Sequence, residues 1–362
     1  MKVLHLPYFE SNDYQNRLLE SVEKQGIPLL IGESMEYFPF VRNYRRERFD
    51  VLHLHWTHPF FVVPSYSESR LEGAVQFLRS ALRAVAFLLD VLVLKLLGVG
   101  LVWTVHNKHN HERHHVRLDH AVSRVLSTLV DRITVSCPSA KETVVELFRA
   151  DPETVLIIEE GNYIGSYPDE MSTAEARERL GIDPETFLFV FFGQIRPYKD
   201  VPGLLDAFDE LDFSAKLLVA GRPSDDELRE RLVERLATMP DAAGVLEFVP
   251  DGEIQTYVNA ADVLVLPYRE IMTSGSVMLG LSFGKPLVAP RLGCIPALVG
   301  EQGAFLYSPT DSDGLRDAMT AAYEAREGLD AMEEHSYERA AEFPWGPIGE
   351  RTAALYRQVT LG

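Results

Sequence analysis

Cysteine is almost absent: Cys137 and Cys294 are the only two in 362 residues. Two are too few for a scaffold held by several disulfides, and their spacing excludes a CxxC metal pair. The cytoplasm is then the simplest compartment. The features of a secretory leader are missing as well, since Lys2 leads directly into the strand-like run MKVLHLPYF. Long uncharged apolar runs are also lacking. The most apolar stretch, residues 73–100, is interrupted by Arg83, Asp90 and Lys95, and its longest uncharged run before Lys95 is six residues. A membrane-spanning helix needs ~20 mostly apolar residues. Two readings of 73–100 stay open: a helix buried against a sheet, or one partly exposed to a membrane surface.

Positive charge is scarce and unevenly placed. Net charge is −19; residues 1–167 carry 18 Lys and Arg against 20 Asp and Glu, and residues 168–362 carry 17 against 34. The acidic second half repels nucleic acid, which excludes that class of partner. No low-complexity segment and no short repeat is present.

What the chain has in quantity is an alternation. Short apolar runs rich in β-branched residues are separated by longer stretches of helical period. KVLHLPYF, DVLHLHW (50–56), GLVWTVHN (100–107), DRITVSC (131–137) and TVLIIEEGN (154–162) form a first series. FLFVFFGQ (187–194), AKLLVAGR (215–222), GVLEFVP (244–250), ADVLVLPY (261–268), KPLVAP (285–290) and GAFLYSP (303–309) form a second. Runs that are apolar throughout belong to strands covered on both faces. The pattern predicts α/β architecture, with two doubly wound parallel-sheet domains. The boundary is expected near 163–172, giving domains 1–167 and 168–344, with 345–362 as one terminal helix.

Two loops are suited to an anion. In FFGQIRPYKDVPGLLDAF (191–208) a strand ends at Gly193 and a helix begins after Pro202, with Arg196 and Lys199 between them. Loops at the C-terminal ends of parallel strands bind ligands in open α/β sheets. Two cations there suit a diphosphate, and Gly193 lets the backbone approach it; a solvated basic turn is the plain alternative. In ADVLVLPYREIMTSGSVMLGLSFGKPLVAP (261–290), Thr273, Ser274, Gly275 and Ser276 stand where a helix of about ten residues should start. Backbone N–H groups at that point attract anions, and an ordinary serine N-cap is the plain alternative.

The order G-x-x-R…K, AGR, NAADVLVLPYRE and SFGKPLVAP resembles the C-terminal domain of the GT-B retaining glycosyltransferases of the family 4 type (glycosyl transferases group 1). DVLHLHW, TVHN and the His111-Glu112 pair extend the resemblance over nearly the whole chain. It implies two Rossmann-like domains with a cleft between them, and a last helix that crosses back onto the N-terminal, acceptor-side domain. It also implies that Arg196 and Lys199 hold the donor diphosphate, that Gly193 is the glycine of the same loop, and that His106 faces the transferred sugar. The family's pair of glutamates, eight positions apart, falls here on Ile271 and Leu279. Glu270, one residue out of register, is the candidate for the sugar hydroxyls, and Leu279 cannot accept a ribose hydrogen bond. The N-terminal glycine pair is replaced by ESNDYQN (10–16), an acceptor-side loop.

The implied reaction moves a sugar from a nucleotide-diphosphate sugar to a glycan or lipid-linked acceptor, with retention, as in polysaccharide or glycolipid biosynthesis. The nucleotide sugar is substrate; no cofactor and no metal are expected. Nine of eleven histidines lie between 53 and 120. HNKHNHERHH (106–115) lacks a recognisable metal-ligand spacing and reads as a cleft-lining loop, while His53 and His55 share one strand face and read as packed. Asp311-Ser312-Asp313 precedes a helical stretch and reads as a cap. Peripheral membrane contact through the N-terminal domain is the accompanying expectation, from 73–100 and Arg42, Arg45, Arg46 and Arg48. The rival functions are a nucleotide-sugar epimerase, which needs added acid/base carboxylates, and a non-catalytic nucleotide- or glycan-binding protein.

Overall fold

A computed structural model of the chain describes residues 1–34, 37–64, 70–110, 113–300 and 302–361. Its contacts divide into two compact units, Met1–Gly161 with Trp345–Gly362, and Asn162–Pro344.

The first unit is built on β1 (Val3–Leu6), β2 (Leu29–Ile31), β3 (Val51–Leu54), β4 (Gly100–Thr104), β5 (Arg132–Val135) and β6 (Val155–Ile157). They form one parallel sheet in the order β2-β1-β3-β4-β5-β6. β1, β3 and β4 are buried at every position, His5 and His53 included, as strands covered on both faces are. β2 was not legible as a strand: it is a three-residue edge, half-buried to exposed. The helix Trp345–Val359 closes this unit. Ile348, Ala353 and Tyr356 join the core of Val3, Val51 and Val102. Gly349 lets the helix approach Ser21 so closely that a Cβ there would lie 2.1 Å from the hydroxyl oxygen.

The helix Arg70–Leu96 resolves the double reading of 73–100. Ser80, Phe87, Asp90, Val91 and Leu94 are buried, so one face does pack inward. The opposite face carries Leu71, Val75, Leu78, Leu82, Val85, Leu89, Leu92 and Leu96, all exposed. Their spacing alternates four and three residues, which places them along one stripe. Among the described residues, no helix is long and apolar enough to cross a membrane.

The second unit is built on β7 (Leu188–Phe192), β8 (Lys216–Ala220), β9 (Ala242–Val245), β10 (Val263–Val265), β11 (Leu287–Pro290) and β12 (Ala304–Tyr307), in the order β12-β11-β10-β7-β8-β9. β9 begins two residues before the GVLEFVP run, and Leu246 and Phe248 fall beyond its end. Phe189, Phe191, Leu217, Val219, Val263 and Val265 meet Leu204, Leu228 and Met319 from the flanking helices in one core. Each unit is thus a Rossmann-like doubly wound sheet. Counted from its own first strand, the second sheet runs 3-2-1-4-5-6. Its order reverses between β7 and β10, and a crevice opens outside the strand ends at such a switch point.

Candidate active site

The two anion-suited loops leave β7 and β10, the strands on either side of that switch point. Gly193 stands one residue past β7 at φ +128°, where a side chain is strained. A Cβ at Gly193 would lie 3.0 Å from Ser276 Oγ and 3.3 Å from Lys199 Nζ. The glycine, the lysine and the serine, 83 positions apart in sequence, therefore converge on one point. The AGR segment supports them from behind: Gly221, at φ +150°, presses against the Gly193 carbonyl, and Ile195 N donates to Arg222 O at 2.9 Å.

Lys199 is buried, at 9% exposure. Burial, then the neighbouring Arg196 charge, pushes its ammonium down to about 8. Arg196 is half-buried, and its Nε donates to Gln194 Oε1 at 3.2 Å. Lys199 Nζ lies 5.7 Å from the centre of the Tyr268 ring. Tyr268, fully enclosed, receives a hydrogen bond from Ser274 Oγ at 3.1 Å, and burial pushes its phenol up. Tyr268 was not singled out from sequence; it is the tyrosine that ends the VLVLPY run, one residue before the loop.

The helix that follows β10 is Gly275–Ser282, eight residues, with Ser274 as its N-cap accepting from Val277 N at 3.3 Å. The plain capping role of Ser274 is thus observed. The first N–H groups of a helix have no intrahelical partner, which leaves Gly275 and Ser276 as donors beside Lys199. Tyr163 Oη would lie 3.2 Å from a Cβ on Gly275. Thr273 and Glu270 are half-buried on the intervening loop. Ile271 and Leu279, at the family's glutamate positions, are buried apolar side chains.

In the first unit His106 follows β4 by two residues and is 6% exposed. Its Nδ1 lies 3.3 Å from Glu160 Oε1 and its Nε2 3.3 Å from His55 Nδ1. The Tyr14 ring meets it edge-on, with centroids 5.1 Å apart. His53 and His55 are buried and stacked on each other. Residues 111–112 lie outside the described residues. Around them Asn110 orders the loop, donating twice to Asp119 Oδ2 and accepting from His114 N. In the Asp311-Ser312-Asp313 segment, Asp313 is the N-cap residue without a side-chain capping bond, and Asp311 Oδ1 accepts from Asp313 N at 3.1 Å.

Residues 186–325 match the family described as Glycosyl transferases group 1. The chain is 31% identical over 264 residues to a GDP-mannose:glycolipid 4-beta-D-mannosyltransferase from Xanthomonas campestris pv. campestris, covering 72% of this chain and 67% of that one. It is 24% identical over 246 residues to a D-inositol 3-phosphate glycosyltransferase from Corynebacterium efficiens, covering 64% and 58%. Among solved structures, HepE from Anabaena in complex with UDP superposes with a TM-score of 0.72 at 15% identity, over 99% of this chain and 100% of that one. Sucrose-phosphate synthase from Thermosynechococcus elongatus gives 0.73 at 15% identity, over 99% and 98%. At those identities the solved structures speak for the fold, which is GT-B. With its phosphate-suited loops at the switch point of a Rossmann-like sheet, the chain belongs to the glycosyl transferases group 1 family and is a nucleotide-sugar glycosyltransferase.

Proposed function

We propose that the second unit binds the diphosphate of a nucleotide sugar at Gly193, Arg196, Lys199 and the Thr273–Ser276 turn, and that the sugar is passed to a glycan or lipid-linked acceptor. The observation that carries this reading is the convergence of Gly193, Lys199 and Ser276. It makes a small space bounded by a cation, a hydroxyl and helix-end N–H groups, with no side chain at its floor. Departure of the nucleoside diphosphate is the main barrier to transfer. Charge growing on its oxygens meets Lys199, Arg196 and the N–H groups of Gly275 and Ser276, which need no reorientation as the bond breaks. Preorganised donors of this kind contribute ~3–4 kcal/mol each. With two cations so placed, a divalent metal is not required, and the nucleotide sugar enters as substrate rather than as cofactor. Glu270 is assigned to the sugar hydroxyls and His106 to the transferred sugar on the family resemblance.

Retention is the stereochemistry that the family 4 resemblance implies, with the acceptor hydroxyl attacking from the face of the leaving phosphate and passing its proton to it; the 4-beta product in the name of the Xanthomonas relative is the inverted outcome from alpha-linked GDP-mannose. The glycolipid acceptor in the name of the Xanthomonas relative supports a lipid-linked acceptor here. So does the exposed apolar stripe of Arg70–Leu96, with helix Pro39–Arg46 and its Arg42, Arg45 and Arg46 packed beside it. That face suits the surface of an anionic bilayer.

The test is calorimetry of the full chain against UDP- and GDP-sugars, followed by product analysis with lipid-linked acceptors, with and without EDTA. Binding without transfer would favour the binding-protein rival, and turnover of the nucleotide sugar without any acceptor would favour the epimerase. The anomeric coupling in the product decides retention, and activity abolished by EDTA and restored by Mg²⁺ or Mn²⁺ would end the metal-free reading.

A further inference from the structure

The sheet of the first unit encloses a cluster that the transfer chemistry above leaves unused. His5 on β1, His53 on β3 and His55 just beyond it are 1%, 2% and 1% exposed. Nitrogens from the three lie within 4.8 Å of one another, so a metal is the first reading to weigh. A metal sits in the plane of each imidazole that binds it. His53 and His55 are stacked, with centroids 4.3 Å apart and planes 26° from parallel, so their in-plane lone pairs do not converge. All six nitrogens have other partners. His5 Nδ1 is 3.1 Å from His55 Nε2, and His5 Nε2 is 3.2 Å from Tyr356 Oη. His53 Nδ1 is 2.6 Å from the same Tyr356 Oη, and His53 Nε2 is 2.7 Å from Thr104 Oγ1. His55 Nδ1 reaches His106, and His106 reaches Glu160.

The direction of every bond follows from one end. An ionised carboxylate only accepts, so His106 Nδ1 carries a proton and donates to Glu160. Taking His106 as a neutral ring with a single N–H, its Nε2 accepts from His55 Nδ1, His55 Nε2 from His5 Nδ1, and His5 Nε2 from Tyr356. Tyr356 in turn accepts from His53 Nδ1, and His53 Nε2 accepts from Thr104. His5, His53, His55 and Tyr356 each donate once and accept once in this chain, and Thr104 also meets Thr134 Oγ1 at 2.6 Å. Burial pushes His5 down to about 3 and holds His53 and His55 well below their ordinary value, so these three are uncharged.

The chain ends at the C-terminal edge of the sheet, where His106 follows β4, Ser136 follows β5 and Glu160 follows β6. Glu160 Oε1 takes two donors there, His106 Nδ1 at 3.3 Å and Ser136 Oγ at 3.2 Å. Its Oε2 has no hydrogen-bond partner among the described residues and is not enclosed. We infer that Glu160 presents Oε2 to a hydroxyl of the sugar acceptor, and that Tyr356, His5, His55 and His106 form a one-way hydrogen-bond chain that holds the carboxylate in that pose. Glu160 touches substrate; Tyr356, His5 and His55 are positioning residues. The assignment rests on the acceptor-transfer reading given above.

Glu160→Gln separates this role from a structural one. The Oε1 place must still accept from His106 and Ser136, so the amide oxygen takes it and the amide NH₂ points outward. A donor then replaces the acceptor while the inner bonds and the shape are kept. The full chain carrying this substitution should keep its melting temperature and its affinity for nucleotide sugar. Its transfer rate at saturating donor should fall by at least 100-fold, with a raised acceptor KM. The second readout is nitrogen-15 NMR of the histidine-labelled wild type at pH 8. His5, His53, His55 and His106 should all carry the proton on Nδ1, the less favoured tautomer of free histidine. A wild-type transfer rate in Glu160→Gln overturns the substrate contact and leaves the glycosyltransferase reading standing. A protonated Nε2 on His106, which reverses every bond, overturns the chain, as does stoichiometric zinc on the three buried histidines. Wild-type protein that transfers to no acceptor removes the acceptor role together with the reading beneath it, and the NMR pattern still decides the chain.

Discussion

Lys199 gives the proposed diphosphate site a titration that can be read directly. It is buried beside Arg196, and its ammonium is pushed down to about 8. A lysine at that value is roughly nine-tenths protonated at pH 7 and one-tenth at pH 9. A hydrogen bond from a charged donor to a phosphate is worth about 1.5–3 kcal/mol, so Lys199→Met should weaken nucleotide-sugar binding ~10- to 150-fold at pH 7. In the wild type, affinity should change little up to about pH 7.5 and then fall, by roughly fivefold between pH 8 and 9. The diphosphate of a nucleotide sugar has no ionisation of its own in that window, which makes it a better probe than the free nucleoside diphosphate. Arg196→Ala removes the second cause of the depression and should move the midpoint upward. Ligand-free stability should run the other way. A lysine whose folded pKa lies below its unfolded value near 10.4 destabilises the fold while protonated, and between about pH 8 and 10 the unfolded chain binds more protons. The wild type should therefore gain stability relative to Lys199→Met as pH rises through that range. Calorimetry of wild type and variant from pH 7 to 9 decides the matter. If Lys199→Met binds as tightly as wild type, or shows the same fall with pH, Lys199 is not on the diphosphate.

Gly193→Ala forces a side chain into φ +128° and toward Ser276 Oγ and Lys199 Nζ; backbone strain of that kind costs about 1–3 kcal/mol. A lower melting temperature with loss of nucleotide affinity is expected, and normal binding would show that the floor of the site is elsewhere. Leu82→Glu with Leu89→Glu changes the exposed stripe without touching the core, so activity toward a water-soluble acceptor should hold while flotation with anionic vesicles is lost. Wild type that fails to float at low salt ends the membrane reading, and wild type that sediments as a dimer converting to monomer in the double variant assigns the stripe to a second copy. Asp90 Oδ2 and Oδ1 accept from Phe40 N and Val41 N at 2.7 and 3.0 Å, which caps one helix from another. Asp90→Ala should cost about 2–4 kcal/mol for one buried and one half-buried donor left unsatisfied, seen as a fall in denaturant midpoint; an unchanged midpoint would mean that water replaces the carboxylate.

Among the described residues, eleven of twelve strands were legible as short runs dominated by apolar residues, a pattern that needs no partner to be recognised. β2 escaped because it is only three residues long, set between Pro28 and Gly32. GVLEFVP was placed two residues late, since Ala242 and Ala243 contribute little apolar weight while Leu246 and Phe248 contribute much. The stretch 73–100 was read as a helix buried against a sheet or one partly exposed, and it is buried on one face and exposed on the other. Its charges are few enough that the exposed side reads like core.

The candidate site divides along the same line. Sequence by itself determined that two loops carry the residue types a diphosphate needs, because glycine, cations and helix-start hydroxyls act locally on their own backbone. It also determined the alternation that builds two parallel sheets. The tertiary structure decided that Gly193, Lys199 and Ser276 share one point, because strand order, not chain order, sets which loops become neighbours. It decided as well that His5, His53, His55 and Tyr356 form one hydrogen-bonded chain ending at Glu160. No local pattern could reveal this, since those bonds cross from β1 to β3 to the last helix, over 351 positions at the widest, and their direction is fixed only by the carboxylate at the far end.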